Sequence, residues 1–175
     1  MNVAEIKSCD IANGPGVRVS LFVSGCPHHC LGCFNEEAWD FDYGVPFTGE
    51  KEDEILRFLS PDYIEGLTLL GGEPMDPRNQ AELLPFIRRV RAQFPKKTIW
   101  CFTGYDFDRD ILGRMMKTEV TRQLVSMFDV MVDGPFVIAR KNLSLQFRGS
   151  ENQRILDVPR SLAEGRGVWV ETYRK

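Results

Sequence analysis

Hydrophobic and polar positions change rhythm several times along the chain. Residues 17–24 read VRVSLFVS, an alternation rich in β-branched side chains that predicts a strand. Short apolar runs at residues 67–70, 98–102 and 128–132 predict three more. Each ends in turn residues: Gly71 and Gly72, then Thr103 and Gly104, then Asp133, Gly134 and Pro135. Strand character returns at residues 143–147, 154–158 and 168–171.

Helical periodicity fills the gaps. Thr48 is placed to cap a helix over residues 50–59, with Glu50, Glu52, Asp53 and Glu54 where the helix dipole favours acid. Ile55, Leu56 and Leu59 give that helix its buried face. Residues 79–94 repeat apolar positions at Leu83, Ile87, Val90 and Phe94. Pro85 within them predicts a kink or a later start. Residues 106–127 predict one or two helices, divided near Gly113 or Thr118.

Strands alternating with helices predict a parallel sheet with right-handed crossovers. A closed eight-stranded barrel takes about 250 residues, and this chain has 175. The expected fold is therefore a single α/β domain over residues 1–175. An open, partial (β/α) barrel of about five or six units with a mainly parallel sheet fits that length, as does a doubly wound sheet. In either case the carboxyl ends of the strands share one rim, where α/β folds bind ligands. That rim would gather Ser24 to Cys26, Gly71 to Pro74, Thr103 to Tyr105 and Asp133 to Pro135.

Composition narrows the function. Hydrophobic residues make up 43% and charged residues 27%, which excludes a disordered or fibrous chain. A net charge of −3 argues against a nucleic-acid binder. No stretch reaches the ~18–20 apolar residues of a membrane span. Residues 1–10 carry Glu5, Lys7 and Asp10 and no apolar core, so no secretion signal is expected and cytoplasm is the expected compartment.

Five cysteines are too few for a disulfide scaffold, and three of them crowd together. Cys26, Cys30 and Cys33 form a C-x3-C-x2-C loop directly after the first predicted strand. A 4Fe–4S cluster normally takes four cysteines. Three would leave one iron open to bind a further molecule. Rival readings are a zinc site that adds His28 or His29, a four-cysteine cluster that recruits Cys9 or Cys101, and an accidental grouping of buried thiols. Otherwise the histidines read as solvated loop residues, and Cys9 and Cys101 as small buried hydrophobes. Arg18 reads as a salt-bridging strand residue.

The cysteine loop resembles the signature of the radical S-adenosylmethionine superfamily, and Gly71, Gly72, Glu73 and Pro74 resemble its GGE motif. Residues 13–18 (NGPGVR) resemble the N-terminal motif of the glycyl-radical-enzyme activases, continued by Cys33, Phe34 and Asn35. Residues 102–105 (FTGY), 133–136 (DGPF) and 148–154 (RGSENQR) are similar to the activases of anaerobic ribonucleoside-triphosphate reductases. The resemblance covers residues 9–158. One departure is Gly32, where many superfamily members carry an aromatic residue.

The resemblance implies that Cys26, Cys30 and Cys33 hold a 4Fe–4S cluster whose open iron chelates S-adenosylmethionine. Gly32 and Cys33 would lie beside that cofactor, and Phe34 becomes the aromatic expected near the adenine. Gly71 and Gly72 would admit backbone close to the methionine part, and Glu73 would set the turn and accept from the ligand. Thr103 and Asp133 sit on the expected rim as further cofactor contacts. The implied reaction places a glycyl radical on the reductase large subunit, with reduced flavodoxin or ferredoxin as electron donor.

Alternatives stay open at this point. Within the superfamily they are an activase of the pyruvate formate-lyase type and a small-molecule enzyme such as a deazaguanine synthase. Outside it they are a structural-zinc binding module and a ferredoxin-like electron carrier. Residues 148–154 favour the reductase branch, and read equally as a solvated loop, a cofactor contact or a docking surface.

Overall fold

The computed structural model describes residues 1–174. Seven strands form one open sheet: β1 (Asn2–Asp10), β2 (Val17–Val23), β3 (Val45–Pro46), β4 (Ile64–Gly71), β5 (Thr98–Phe102), β6 (Val130–Asp133) and β7 (Arg154–Asp157). Their order is β3-β1-β2-β4-β5-β6-β7. The central ladders β2–β4, β4–β5 and β5–β6 are parallel. β1 pairs antiparallel with β2 and β3, and β7 pairs antiparallel with β6. The four central strands are thus parallel as expected, while β1 and β7 run the other way and the sheet is mixed.

Four α-helices accompany the sheet: α1 (Gly49–Leu59), α2 (Pro77–Gln93), α3 (Glu119–Ser126) and α4 (Val158–Glu164). Among the described residues no helix is long and apolar enough to cross a membrane. Strand alternation divides the sheet into two faces. Val19, Leu21, Leu67, Leu69, Ile99 and Cys101 join the main core with Ile55, Leu59, Leu83, Ile87, Val90 and Leu124 of the helices. On the other face Trp100, Val132 and Ile155 pack against Phe102, Phe147, Trp169 and Tyr173. That second face carries the functional rim's interior.

Several local features depart from the sequence pattern for identifiable reasons. β1 went unanticipated because Glu5, Lys7 and Cys9 lie exposed along it and only its ends, Val3 and Asp10, are buried. Residues 143–147 form no strand; the nearby pairing is an isolated bridge between Lys141 and Ser150. Trp169 makes a similar bridge to Leu156. Helix α2 starts at Pro77, earlier than its periodicity suggests, because the Asp76 carboxylate accepts from the backbone N–H of Arg78 at 3.0 Å and Pro77 suits a first turn. Pro85 sits inside α2 on its exposed side, where losing one helical hydrogen bond is tolerable beside water.

Arg18 makes no ion pair, contrary to expectation. It is fully buried on the second face. Its Nε donates to Thr68 Oγ1 (2.8 Å), its Nη1 to Thr98 Oγ1 (2.9 Å), and its Nη2 to the carbonyls of Leu67 (2.9 Å) and Thr98 (3.0 Å). The guanidinium also lies over Trp100. Burial pulls its pKa down to about 10, so it stays charged at neutral pH and cross-links β4 to β5.

After β5 the chain makes a wide π-helical turn, Phe107–Leu112. Asp110 is buried there. It accepts from the Arg109 side chain (2.8 and 3.1 Å), from Arg114, and from the backbone N–H of Asp106 (3.0 Å). The Arg109 hydrogen bonds hold its carboxyl well below the usual carboxylate range, against the opposing effect of burial. A depressed folded-state pKa adds stability above the unfolded value of 3.8 and loses it as pH falls through the folded value. Asp110→Asn is expected to lower unfolding free energy by about 1–3 kcal/mol at pH 7. Urea denaturation over a pH series should show the gap to wild type closing below pH 3.8.

Candidate active site

The carboxyl ends of β2 and β4 meet through backbone contacts. Gly72 N–H donates to the carbonyl of Val23 (2.7 Å) and Glu73 N–H to that of Gly25 (2.8 Å). Gly25 N–H donates to Ala38 and Cys26 N–H to Trp39, so the cysteine loop is anchored at its base. Buried Asn79 of α2 ties the same junction: its Nδ2 donates to the carbonyls of Ser24 (3.0 Å) and Glu73 (2.9 Å). No motif marked Asn79, and its only sequence signal is a polar residue at the start of an apolar helix.

These packings explain the glycine pair. Gly71 adopts a left-handed φ of 109°, which L side chains avoid. A Cβ at Gly72 would stand 2.5 Å from the carbonyl oxygen of Gly25. Both positions therefore need glycine for the chain's own backbone, before any ligand is considered.

Glu73 is fully buried and its two oxygens take four donors. Oε1 accepts from Met75 N–H (2.8 Å) and Thr103 Oγ1 (2.7 Å). Oε2 accepts from Gly104 N–H (2.7 Å) and His28 Nε2 (2.7 Å). The carboxylate expected to accept from a ligand is thus occupied by the protein itself. His28, expected to be a solvated loop residue, is half-buried and bound to it. His29 is exposed, with its ring against Trp39.

A cavity of about 470 Å³ opens at this rim, a size suited to a small-molecule ligand. Cys26, Cys30 and Cys33 line it together with Gly71, Gly72, Glu73 and Thr103. Gly32 and Phe34 also line it, and Phe34 is 82% exposed at the mouth. Asp133 does not line it. Its carboxylate is buried and taken by Arg154 (Nε 3.0 Å, Nη2 2.5 Å) and by Phe107 N–H (2.7 Å). Burial pushes that carboxyl up despite Arg154.

Residues 148–154 form part of the wall. Arg148, Gly149 and Gln153 line the cavity. Gln153 Oε1 accepts from Gly149 N–H (2.9 Å), its Nε2 donates to the Gly134 carbonyl (3.1 Å), and Asn152 Nδ2 donates to the Pro135 carbonyl (2.8 Å). The segment is therefore bolted to the turn after β6.

The donor set fits a thiolate-held group with an open position. Three thiols from one short loop border a cavity whose only bordering imidazole, His28, is committed to Glu73. Among the described residues no three His, Cys, Asp or Glu side chains, the three cysteines included, are already gathered as a metal-holding group. Burial pushes the Cys26 thiol up to about 12 and raises that of Cys30. Ligation needs the thiolates, so metal uptake would release protons here.

Comparison with known proteins agrees with this donor set. Residues 12–156 match the family model described as a 4Fe–4S single cluster domain. The anaerobic ribonucleoside-triphosphate reductase-activating protein of Pasteurella multocida (strain Pm70) is 43% identical over 157 residues, covering 89% of this chain and 96% of its own length. That of Escherichia coli (strain K12) is 43% identical over 155 residues, with 87% and 96% covered. The one from Enterobacteria phage T4 is 42% identical over 157 residues, with 89% and 93% covered. The chain belongs to the anaerobic ribonucleoside-triphosphate reductase-activating protein family.

For a member of this family the glycine pair gives a direct check on the rim's construction. Gly72→Ala is expected to destabilise the apo-protein by about 2 kcal/mol or more, through steric strain against backbone. A lower urea midpoint in the absence of any metal is the measurement. An unchanged midpoint would mean that Gly72 serves a ligand alone.

Proposed function

We propose that this protein activates an anaerobic ribonucleoside-triphosphate reductase in the cytoplasm by installing a glycyl radical on its large subunit. Cys26, Cys30 and Cys33 would hold a 4Fe–4S cluster by three of its irons, leaving the fourth for S-adenosylmethionine. When bound, the reduced cluster supplies one electron that splits S-adenosylmethionine into methionine and a 5′-deoxyadenosyl radical, which takes a Cα hydrogen from the partner's glycine. A reduced flavodoxin or ferredoxin would deliver the electron.

The observation that carries this reading is the convergence of the three thiols and the Gly71–Gly72–Glu73 turn on one cavity. The chain's own work there is placement and exclusion of water. Phe102, Phe136 and Phe147 give the cavity apolar walls. Arg148 and Gln153 add polar groups to the wall, and their mutual hydrogen bond (3.0 Å to the Gln153 carbonyl) holds them in place. Glu73 keeps the ends of β4 and β5 in fixed register with the cysteine loop. The open sheet suits a protein substrate, because the cavity mouth carries exposed Phe34 and Leu143 rather than a closing strand.

The test is anaerobic. Wild type and Cys30→Ala are reconstituted with iron and sulfide and given dithionite, S-adenosylmethionine and the purified reductase. 5′-Deoxyadenosine is followed by chromatography and the glycyl radical by EPR. Wild type is expected to form both, and Cys30→Ala to stay at background. Wild type carrying its full cluster but forming neither would overturn the proposal.

A further inference from the structure

One imidazole is held in a slot built from two other strand ends. His28 Nε2 lies 2.7 Å from Glu73 Oε2, and Glu73 follows β4. The Tyr105 ring, after β5, meets the imidazole edge-on with centroids 4.5 Å apart. Gly104 completes the slot. Its backbone is not left-handed, so conformation does not demand glycine there. Space does: a Cβ would stand 2.4 Å from His28 Cδ2 and 2.7 Å from Nε2. A side chain has been given up at Gly104 to seat this one ring.

His28 lies between Cys26 and Cys30, and the side chains around it offer no competing partner. Pro27 and Leu31 have no polar group, and His29 turns away to Trp39. The base of the loop is bound to the GGE turn through backbone, by Glu73 N–H on the Gly25 carbonyl; between Cys26 and Cys30 the side chain that reaches that turn is this imidazole. We propose that His28 is a positioning residue for the cluster loop: through Glu73 it fixes Cys26 and Cys30 against the turns after β4 and β5. This rests on the reading that the three cysteines hold the cluster. Partners of this kind, one step removed from the ligands, typically change metal affinity by about 10–100-fold when lost.

The test uses the reconstituted full chain and needs no S-adenosylmethionine. Iron extraction by a ferrous chelator is timed for wild type, His28→Ala, His28→Gln, His28→Asn and Gly104→Ala, with EPR of each reduced cluster and the melting temperature of each apo-protein. Gln carries an amide N–H at about the reach of Nε2, while Asn stops one bond short. His28→Ala, His28→Asn and Gly104→Ala are expected to lose iron about tenfold faster, with a shifted EPR signal. His28→Gln is expected to stay near wild type in both. Iron loss from His28→Ala at the wild-type rate would overturn the proposal. So would Gln and Asn behaving alike, because a role in packing alone would not distinguish them. If wild type takes up no cluster, the reading of the cysteines has failed instead, and the iron content of reconstituted wild type separates the two results.

Discussion

One carboxylate organises the rim. Glu73 is sealed from solvent and accepts from a turn N–H of its own strand end, from two groups after β5, and from an imidazole in the loop after β2. A buried acceptor is costly unless every lone pair finds a donor. Here the donors come from three separate strand ends, so satisfying the carboxylate and aligning those ends are the same event. Parallel strands alone bring their termini to one side. They do not set the spacing between loops, and this hub does.

The cavity face of the sheet uses a related device deeper down. Arg18 binds hydroxyls and carbonyls of β4 and β5 and faces Trp100. It shares that interior with Asp10, whose carboxylate accepts from Ser20 (2.6 Å) and Asn13 (2.7 Å). The cavity side of the sheet thus carries a buried polar network beside the Trp100 cluster below and an apolar-walled hollow above. The helix side is a continuous hydrophobic core. A sheet with such unequal faces is braced by helices on one side and left accessible on the other.

Much of this was legible in the sequence. The four central strands, α1, the cysteine loop and the turns at Gly71 and Thr103 all follow from periodicity and turn chemistry. What escaped did so for physical reasons. β1 shows no clear apolar alternation because only Val3 and Asp10 of its nine residues are buried. Arg18 looks like a surface charge until its strand is known to be central. Asp133 sits at the correct strand end, yet Arg154 reaches across from β7 and takes it, a pairing set by tertiary contact. His28 beside His29 gives no hint of which ring is held, since the discriminating contacts lie some 45 and 76 residues downstream at Glu73 and Gly104.

The reason for the glycines at 71 and 72 changes how their motif should be used. Their hydrogen atoms face the chain's own carbonyls, so the pair is a condition for assembling this junction. A duplicated gene that drifted away from catalysis would keep the glycines for as long as it kept the fold. On the proposed function the cysteines serve the cluster rather than this junction and would be free to vary first. In a genome survey the glycine motif would then mark ancestry, and the thiols beside it the copies able to carry a cluster.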